Sequence, residues 1–264
     1  MHFDTHAHVF TTGLPLAEHC RYVPEYDATP AQYLAQLDRH HIDKAILIQP
    51  SFLGTDNSYM LEAIRQSPDR FYGVAVIDPD TPLCAMETLK QQGIIGVRLN
   101  LIGQELPDLT MPVWQQHLRH INALGWHIEL HRPAADLVPL LGVLLAADVK
   151  IVIDHFGLPA GKDNDPGFIY LLKYAETGKI WVKISASYRN GSAQKPTDNT
   201  EMLMPLLLKH FGAERLLWGS DWPHTRYEDR MTYTKAIDEI YHWELTNTQR
   251  NNILSQSVIE LINR

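Results

Sequence analysis

Cysteine is scarce: Cys20 and Cys84 are the only two in 264 residues. That is too few for a disulfide framework, and neither lies in the Cys-x-x-Cys or Cys/His spacing of a zinc finger, so a reducing cytoplasm is the expected compartment. Basic charge is short as well. There are 23 Lys and Arg against 31 Asp and Glu, a formal net charge of -8, the wrong sign for a surface that binds nucleic acid or an anionic membrane. The longest apolar run, near Val138 to Ala147, falls far short of the ~20 residues of a membrane span. The opening Met1-His2-Phe3-Asp4 has neither the basic nor the apolar stretch of an export signal, so the chain is expected to be soluble and cytoplasmic. Signatures of covalent catalysis are missing too: there is no Gly-x-Ser-x-Gly elbow, and neither cysteine has the neighbours of an activated thiolate. Gly157-Leu-Pro-Ala-Gly161-Lys162 is too short between its glycines for a phosphate loop and has Asp163 where Ser or Thr is needed.

What the chain does have is a core. Hydrophobic residues are 45% and charged residues 20% of the total, the balance of a folded globular protein. Short β-branched runs near 2–9, 44–50, 71–77, 94–100, 126–131, 150–155, 180–185 and 215–220 read as strands. Helical patterns near 30–40, 57–66, 82–92, 111–123, 136–147, 167–178, 199–211 and 228–241 separate them, and one more lies near 246–262. Strict alternation means βα units on a parallel sheet. Eight of them fill residues 1–264, so the expectation is a single (β/α)8 TIM barrel with one extra C-terminal helix. Thr81-Pro82 at the start of one helix and Gly93 at its end follow the usual proline-early, glycine-late asymmetry. Asp136 ahead of Pro139 reads as another helix start. The Pro/Gly/Asn/Asp-rich stretches 157–167 and 189–199 read as active-site loops.

A barrel keeps its chemistry at the C-terminal ends of its strands. Those ends read His6 and His8, Ser51, Asp78, Arg98 and Asn100, Glu129 and His131, Asp154 and His155, Lys183 and Ser185, and Asp221. In Phe3-Asp4-Thr5-His6-Ala7-His8-Val9, a period of two puts Asp4, His6 and His8 on one face, so two imidazoles point into the barrel mouth. Such a pair suits one divalent ion or a polarised carbonyl. Ile151-Val-Ile-Asp154-His155-Phe-Gly157 ends an apolar strand in a histidine and a turn. Trp218-Gly-Ser-Asp221-Trp-Pro-His224 ends another in an acid between two indoles, expected to raise its proton affinity as befits a general base. Attack by water remains, with Asp221 as base and the histidines as electrophile, with or without a metal.

Together, His6-Ala-His8, Val152-Ile-Asp-His155-Phe-Gly and Trp218-Gly-Ser-Asp221-Trp-Pro-His resemble the amidohydrolase superfamily, in its amidohydrolase-related branch of TIM-barrel hydrolases. Gln49-Pro-Ser51-Phe-Leu-Gly54-Thr-Asp56-Asn57 and Gly96-Val-Arg98-Leu-Asn100 are similar to its lactonase group, typified by 2-pyrone-4,6-dicarboxylate lactonase. The resemblance implies a hydrolase that opens a small anionic lactone of the pyrone-dicarboxylate, muconolactone or sugar type. It implies Asp221 activating water, His6, His8 and His155 polarising the carbonyl, and Arg98, Ser51, Tyr22 and Arg189 holding the substrate's carboxylate and ring oxygen. A planar arginine fork suits that task. Two positions depart from the group: Gln104 stands where a second arginine clamp is found, and His131 where a substrate-contacting tyrosine is found. In metal-dependent relatives the latter position is a histidine ligand, so His6, His8, His131, His155 and Asp221 would form a mononuclear site. The cofactor expectation is therefore either none or one divalent metal ion, zinc first. A zinc-dependent decarboxylase of an aromatic or muconate-type acid is the alternative within the branch. Partners are expected to be a small carboxylate or lactone, without nucleic acid or membrane, on a monomer or small homo-oligomer. With the net charge at -8, anion binding must depend on local arginines.

Overall fold

Each of the eight short aliphatic runs forms a strand. The computed structural model describes residues 1–18, 20, 22–160, 164–190 and 198–263, and its strands are β1 (Phe3–Ala7), β2 (Lys44–Ile48), β3 (Phe71–Ala75), β4 (Ile94–Asn100), β5 (His127–His131), β6 (Lys150–Ile153), β7 (Ile180–Ser185) and β8 (Leu216–Gly219). They make one sheet in chain order with every neighbour parallel. The seam between β8 and β1 is bridged just beyond the strand end: Asp221 N donates to His6 O at 2.8 Å and His8 N to Trp222 O at 2.8 Å. A Cβ at Gly219 would lie 2.6 Å from His6 Cβ and 2.9 Å from His6 N, so only glycine lets β8 approach β1 this closely. The result is the expected (β/α)8 barrel.

Helices α1 (Pro30–Arg39), α2 (Ser58–Gln66), α3 (Leu83–Gln91), α4 (Pro112–Ala123), α5 (Val138–Ala146), α6 (Pro166–Lys173), α7 (Asp198–Phe211) and α8 (Tyr233–His242) follow the strands in turn. The α1 start is a capping box of Thr29 and Gln32 with Pro30 in the first turn. Gly93, at φ +96, turns the chain after α3. Asp136 does not cap α5; it pairs with Arg132 at 2.8 Å, and a short 3₁₀ turn precedes the helix. The expected extra helix is α9 (Asn247–Asn251) and α10 (Ser257–Asn263) joined by a π turn. Val258 and Leu261 of α10 pack under an inner apolar layer that includes Phe3, Ile46, Val152 and Trp181. Lys150, the first residue of β6, donates to Leu261 O at 2.6 Å. The floor of the barrel is thus closed by hydrocarbon, and the strand C-terminal ends are left for chemistry.

The period-two reading of β1 needs correction. Register shifts from Asp4 opposite Ala45 to Ala7 opposite Leu47, a bulge that reverses which face the residues present. Asp4 consequently reaches outward, accepting from Tyr33 of α1 at 2.8 Å and Tyr233 of α8 at 3.1 Å. Burial raises its pKa. Of the two expected active-site loops, 161–163 and 191–197 lie outside the described residues. Among the described residues, no helix is long and apolar enough to cross a membrane.

Candidate active site

Asp221 follows β8 with a left-handed backbone, φ +58, which its N–H bond to His6 O holds in place. Its two carboxylate oxygens live in different surroundings. Oδ2 accepts from Tyr188 Oη at 2.5 Å and Arg189 Nε at 2.9 Å. Oδ1 instead faces three imidazole Nε2 atoms, those of His8 at 3.6 Å, His6 at 3.7 Å and His155 at 4.0 Å. Burial works to raise the Asp221 pKa, but the Arg189 guanidinium beside it outweighs burial and holds the carboxyl well below the usual range. This overturns the expectation of a raised proton affinity. The reason is that the indoles face elsewhere: Trp218 Nε1 bonds Ala236 O at 3.3 Å, and Trp222 stacks on Tyr33 at 4.9 Å.

The histidines are fixed by what their other nitrogens touch. His8 Nδ1 donates to Ile48 O at 2.8 Å, leaving Nε2 with a lone pair. His6 Nδ1 lies 3.0 Å from the ammonium of Lys183 and 3.4 Å from Asp154 Oδ1. His155 Nδ1 meets Ser185 Oγ at 2.8 Å. Burial lowers His155 to about 4, and burial with the Lys183 charge lowers His6 well below its ordinary value. Both rings are neutral around pH 7. Beneath them Arg98 bonds Asp154 Oδ2 through Nη2 at 2.8 Å and Nε at 3.1 Å, and Lys183 bonds Glu129 at 2.6 Å. Burial opposes the Asp154 charge, and Arg98, Lys183 and His6 more than compensate. Two buried cations thus offset two buried carboxylates.

A cavity of about 130 Å³ opens above this layer, lined by His8, His155 and Asp221 and by the expected substrate residues Tyr22, Ser51, Arg98, Arg189 and His131. Arg189 stacks on the rings of Tyr188 and Tyr227. His131 sits at 3.2 Å from Asn100 Oδ1 and edge-on to His155 at 5.1 Å. Asp78 is exposed, and neither it nor Gln104 lines the cavity. Sequence reasoning missed two residues: Tyr188, which clamps Asp221, and Arg226, which lines the mouth. The adjacency of Tyr188 to Arg189 offered a signal for the first; nothing in the local sequence offered one for the second. A larger hollow of about 800 Å³ lies at the barrel floor by Lys150 and Trp181, away from the acids and histidines.

The donor chemistry suits a divalent cation. His6 Nε2 is buried without a hydrogen-bond partner. It forms with His8 and Asp221 a group whose ligand atoms lie within 4.8 Å of one another, and His155 faces the same carboxylate oxygen. Asp154 Oδ1 stands ready to accept from His6 Nδ1 in the tautomer that ligation through Nε2 requires. His131 falls in neither of the candidate ligand groups found among the described residues, so the structure does not bring it to the expected five-residue set. Strand β4 carries no lysine to bridge a second metal.

Comparison with known proteins agrees with this architecture. A family model described as Amidohydrolase matches residues 3–257. The 4-sulfomuconolactone hydrolase of Rhizobium radiobacter is 31% identical over 235 residues, 86% of this chain and 77% of that protein. The 2-pyrone-4,6-dicarboxylate hydrolase of Comamonas testosteroni is 29% identical over 241 residues, 86% of this chain and 78% of its own. The crystal structure of a probable 2-pyrone-4,6-dicarboxylic acid hydrolase from Acinetobacter baumannii, with citric acid bound, aligns at a TM-score of 0.96 and 40% identity over 100% of this chain and 99% of that one.

Proposed function

The chain belongs to the amidohydrolase family, and from that premise we propose that it hydrolyses a small anionic lactone by attack of a water that Asp221 deprotonates. The observation that carries this reading is the asymmetry of Asp221. One oxygen is fastened by Tyr188 and Arg189, and the other is ionised and turned to three imidazoles. Oδ1 takes a proton from water as the water oxygen bonds the lactone carbonyl carbon. With Lys183 donating to Nδ1, His6 carries its hydrogen on Nε2 and offers it to the carbonyl oxygen, where negative charge develops. His155 polarises the same carbonyl. His8 differs from the expectation that all three histidines polarise it: with Nδ1 spent on Ile48 O, its Nε2 is an acceptor and orients the water. Collapse of the tetrahedral oxyanion breaks the ring C–O bond, and the leaving oxygen takes the proton back from Asp221. The new carboxylic acid loses its proton to solvent.

Tyr22, Ser51 and His131 hold the ring, and Arg98 and Arg189 each present the Nη1 edge that their internal ion pairs leave over. A divalent cation would be held by His6, His8 and Asp221 with His155, the His6 hydrogen then standing on Nδ1 toward Asp154 in place of Nε2, and would supply Lewis acidity toward the water and the carbonyl. The relatives' names suggest pyrone-dicarboxylate and muconolactone-like substrates. The test is acid release in a pH-stat from a panel of pyrone-dicarboxylate, muconolactone and sugar lactones. Wild type should release one acid equivalent per ring opened without CO2, and Asp221→Asn should lower the rate by roughly 10²–10⁴-fold, the usual weight of a general base. Full activity in that variant would overturn the mechanism.

A further inference from the structure

Resting on the lactone reading, we propose that Arg226 is a substrate-binding residue that selects lactones bearing a second anionic group, held at the mouth of the cavity. Three arginines line that cavity, Arg98, Arg189 and Arg226, and their commitments differ. Arg98 is buried against Asp154. Arg189 is bound to Asp221 and to Thr225 O. The Arg226 guanidinium has neither an ion pair nor a hydrogen bond among the described residues, although its backbone is firmly held. At φ +71, Arg226 N donates to Glu228 Oε1 at 2.9 Å. The same oxygen accepts from Tyr22 Oη at 3.1 Å and Tyr26 Oη at 2.7 Å. Glu228 therefore ties the segment carrying Tyr22 to the turn carrying Arg226, so a substrate-facing tyrosine and an uncommitted cation share one anchor.

The surroundings point the same way. Outside the cavity, a recess of about 410 Å³ is lined by Arg189, Arg226 and Arg230, with Asp229 as its one acid among the described residues, a locally cationic entrance on a chain of net charge -8. An anion arriving at Arg226 displaces no partner among the described residues, so its attraction is not spent on breaking a pair with any of them. The guanidinium fork takes a carboxylate or a sulfonate in bidentate fashion. Gln104 lies outside the cavity, so the second clamp that strand β4 lacks is supplied from the β8 side.

Two arms test this. Calorimetric titration with citrate and with lactate compares a multiply charged probe with a singly charged one on wild type, Arg226→Gln and Arg226→Lys. Citrate should bind about 10–100-fold more weakly to Arg226→Gln, the effect of one lost charged hydrogen-bonding group, with lactate changing several-fold less and the lysine variant falling between. In the kinetic arm, the ratio of kcat/KM for a dicarboxylate lactone over its monocarboxylate analogue should fall by a similar factor. Equal losses for both probes, no loss, or absence of citrate binding by wild type would overturn the assignment. Failure of wild type to turn over any lactone would defeat the proposed function instead, and the citrate arm would still decide the role of Arg226. Thermal scans of the variants confirm that an exposed side chain, not the fold, has been changed.

Discussion

Asp221 serves as a base because half of it is busy. Tyr188 and Arg189 claim Oδ2, which fixes the rotation of the carboxylate and keeps it ionised, while Oδ1 is free for the proton. The strong lowering of its pKa makes the base form available throughout the neutral range, at the cost of basicity. Tyr188→Phe deletes one of the donors that favour the charged form. The proton affinity of Asp221 should then rise, and the acid limb of the kcat/KM profile should move upward by about one pH unit, the equivalent of ~1.4 kcal/mol from a charged hydrogen bond. A rate profile unchanged in position, with activity simply scaled down, would mean that Tyr188 only packs. At this scale the sequence was legible wherever a side chain ends a strand, as with His6, His8, His155 and Asp221. It was faint for Tyr188, signalled only by its adjacency to Arg189, and illegible for Arg226; both sit on turns whose direction depends on left-handed residues such as Ala186 at φ +50 and Arg226 at φ +71. Non-glycine residues seldom adopt that region, and no side-chain pattern announces it.

The strands and helices themselves were legible in type and order, with bounds off by as much as five residues where α8 begins at Tyr233 and α6 ends at Lys173, because hydrophobic period and turn chemistry agree along the chain. The β1 bulge was not. A period of two assigns Asp4 and His6 to one face; the structure sends Asp4 outward to Tyr33 and Tyr233 and His6 inward to Lys183. The cause is the seam. β8 must reach β1 closely enough for Asp221 N to bond His6 O, and Asp4 Oδ1 must stay outside to accept from Ser220 N at 2.9 Å. Gly219 makes that approach possible, so Gly219→Ala should push the two strands apart. With its Cβ 2.6 Å from His6 Cβ and 2.9 Å from His6 N, backbone must move, and a stability loss of roughly 1–3 kcal/mol is expected from overpacking. Displacement of His6 should lower kcat at the same time. Chemical denaturation together with lactone turnover checks both effects. An alanine variant of wild-type stability and rate would show that the seam is looser than this geometry requires.

Across the whole molecule, histidines in the site and away from it alike are packed where a charge is unwelcome. Burial is the leading cause for each of those with a lowered pKa: His117, His155 and His224 lie at about 4, His40 and His127 are lowered, and His6 and His131 fall well below the ordinary value. The consequence for stability has a definite sign. Between about 4 and the unfolded value of 6.5, the unfolded chain binds protons that the folded chain refuses, so acid pulls the equilibrium toward unfolding. The contribution is fully present above 6.5 and is lost as pH falls through that window. His117 isolates the effect from catalysis. It lies on the buried face of α4, 1% exposed, with Nδ1 unpartnered, and outside the cavity. His117→Met keeps the volume and removes the titration. Wild type should lose stability between pH 7 and pH 4.5 by more than the variant does, the difference approaching on the order of 3 kcal/mol for the full shift. Urea midpoints at the two pH values measure it. Parallel losses in the two proteins would assign the acid sensitivity in this window to the other buried histidines, because Asp154 and Asp221, with their depressed pKa values, lose their contribution only as pH falls below the unfolded value of 3.8.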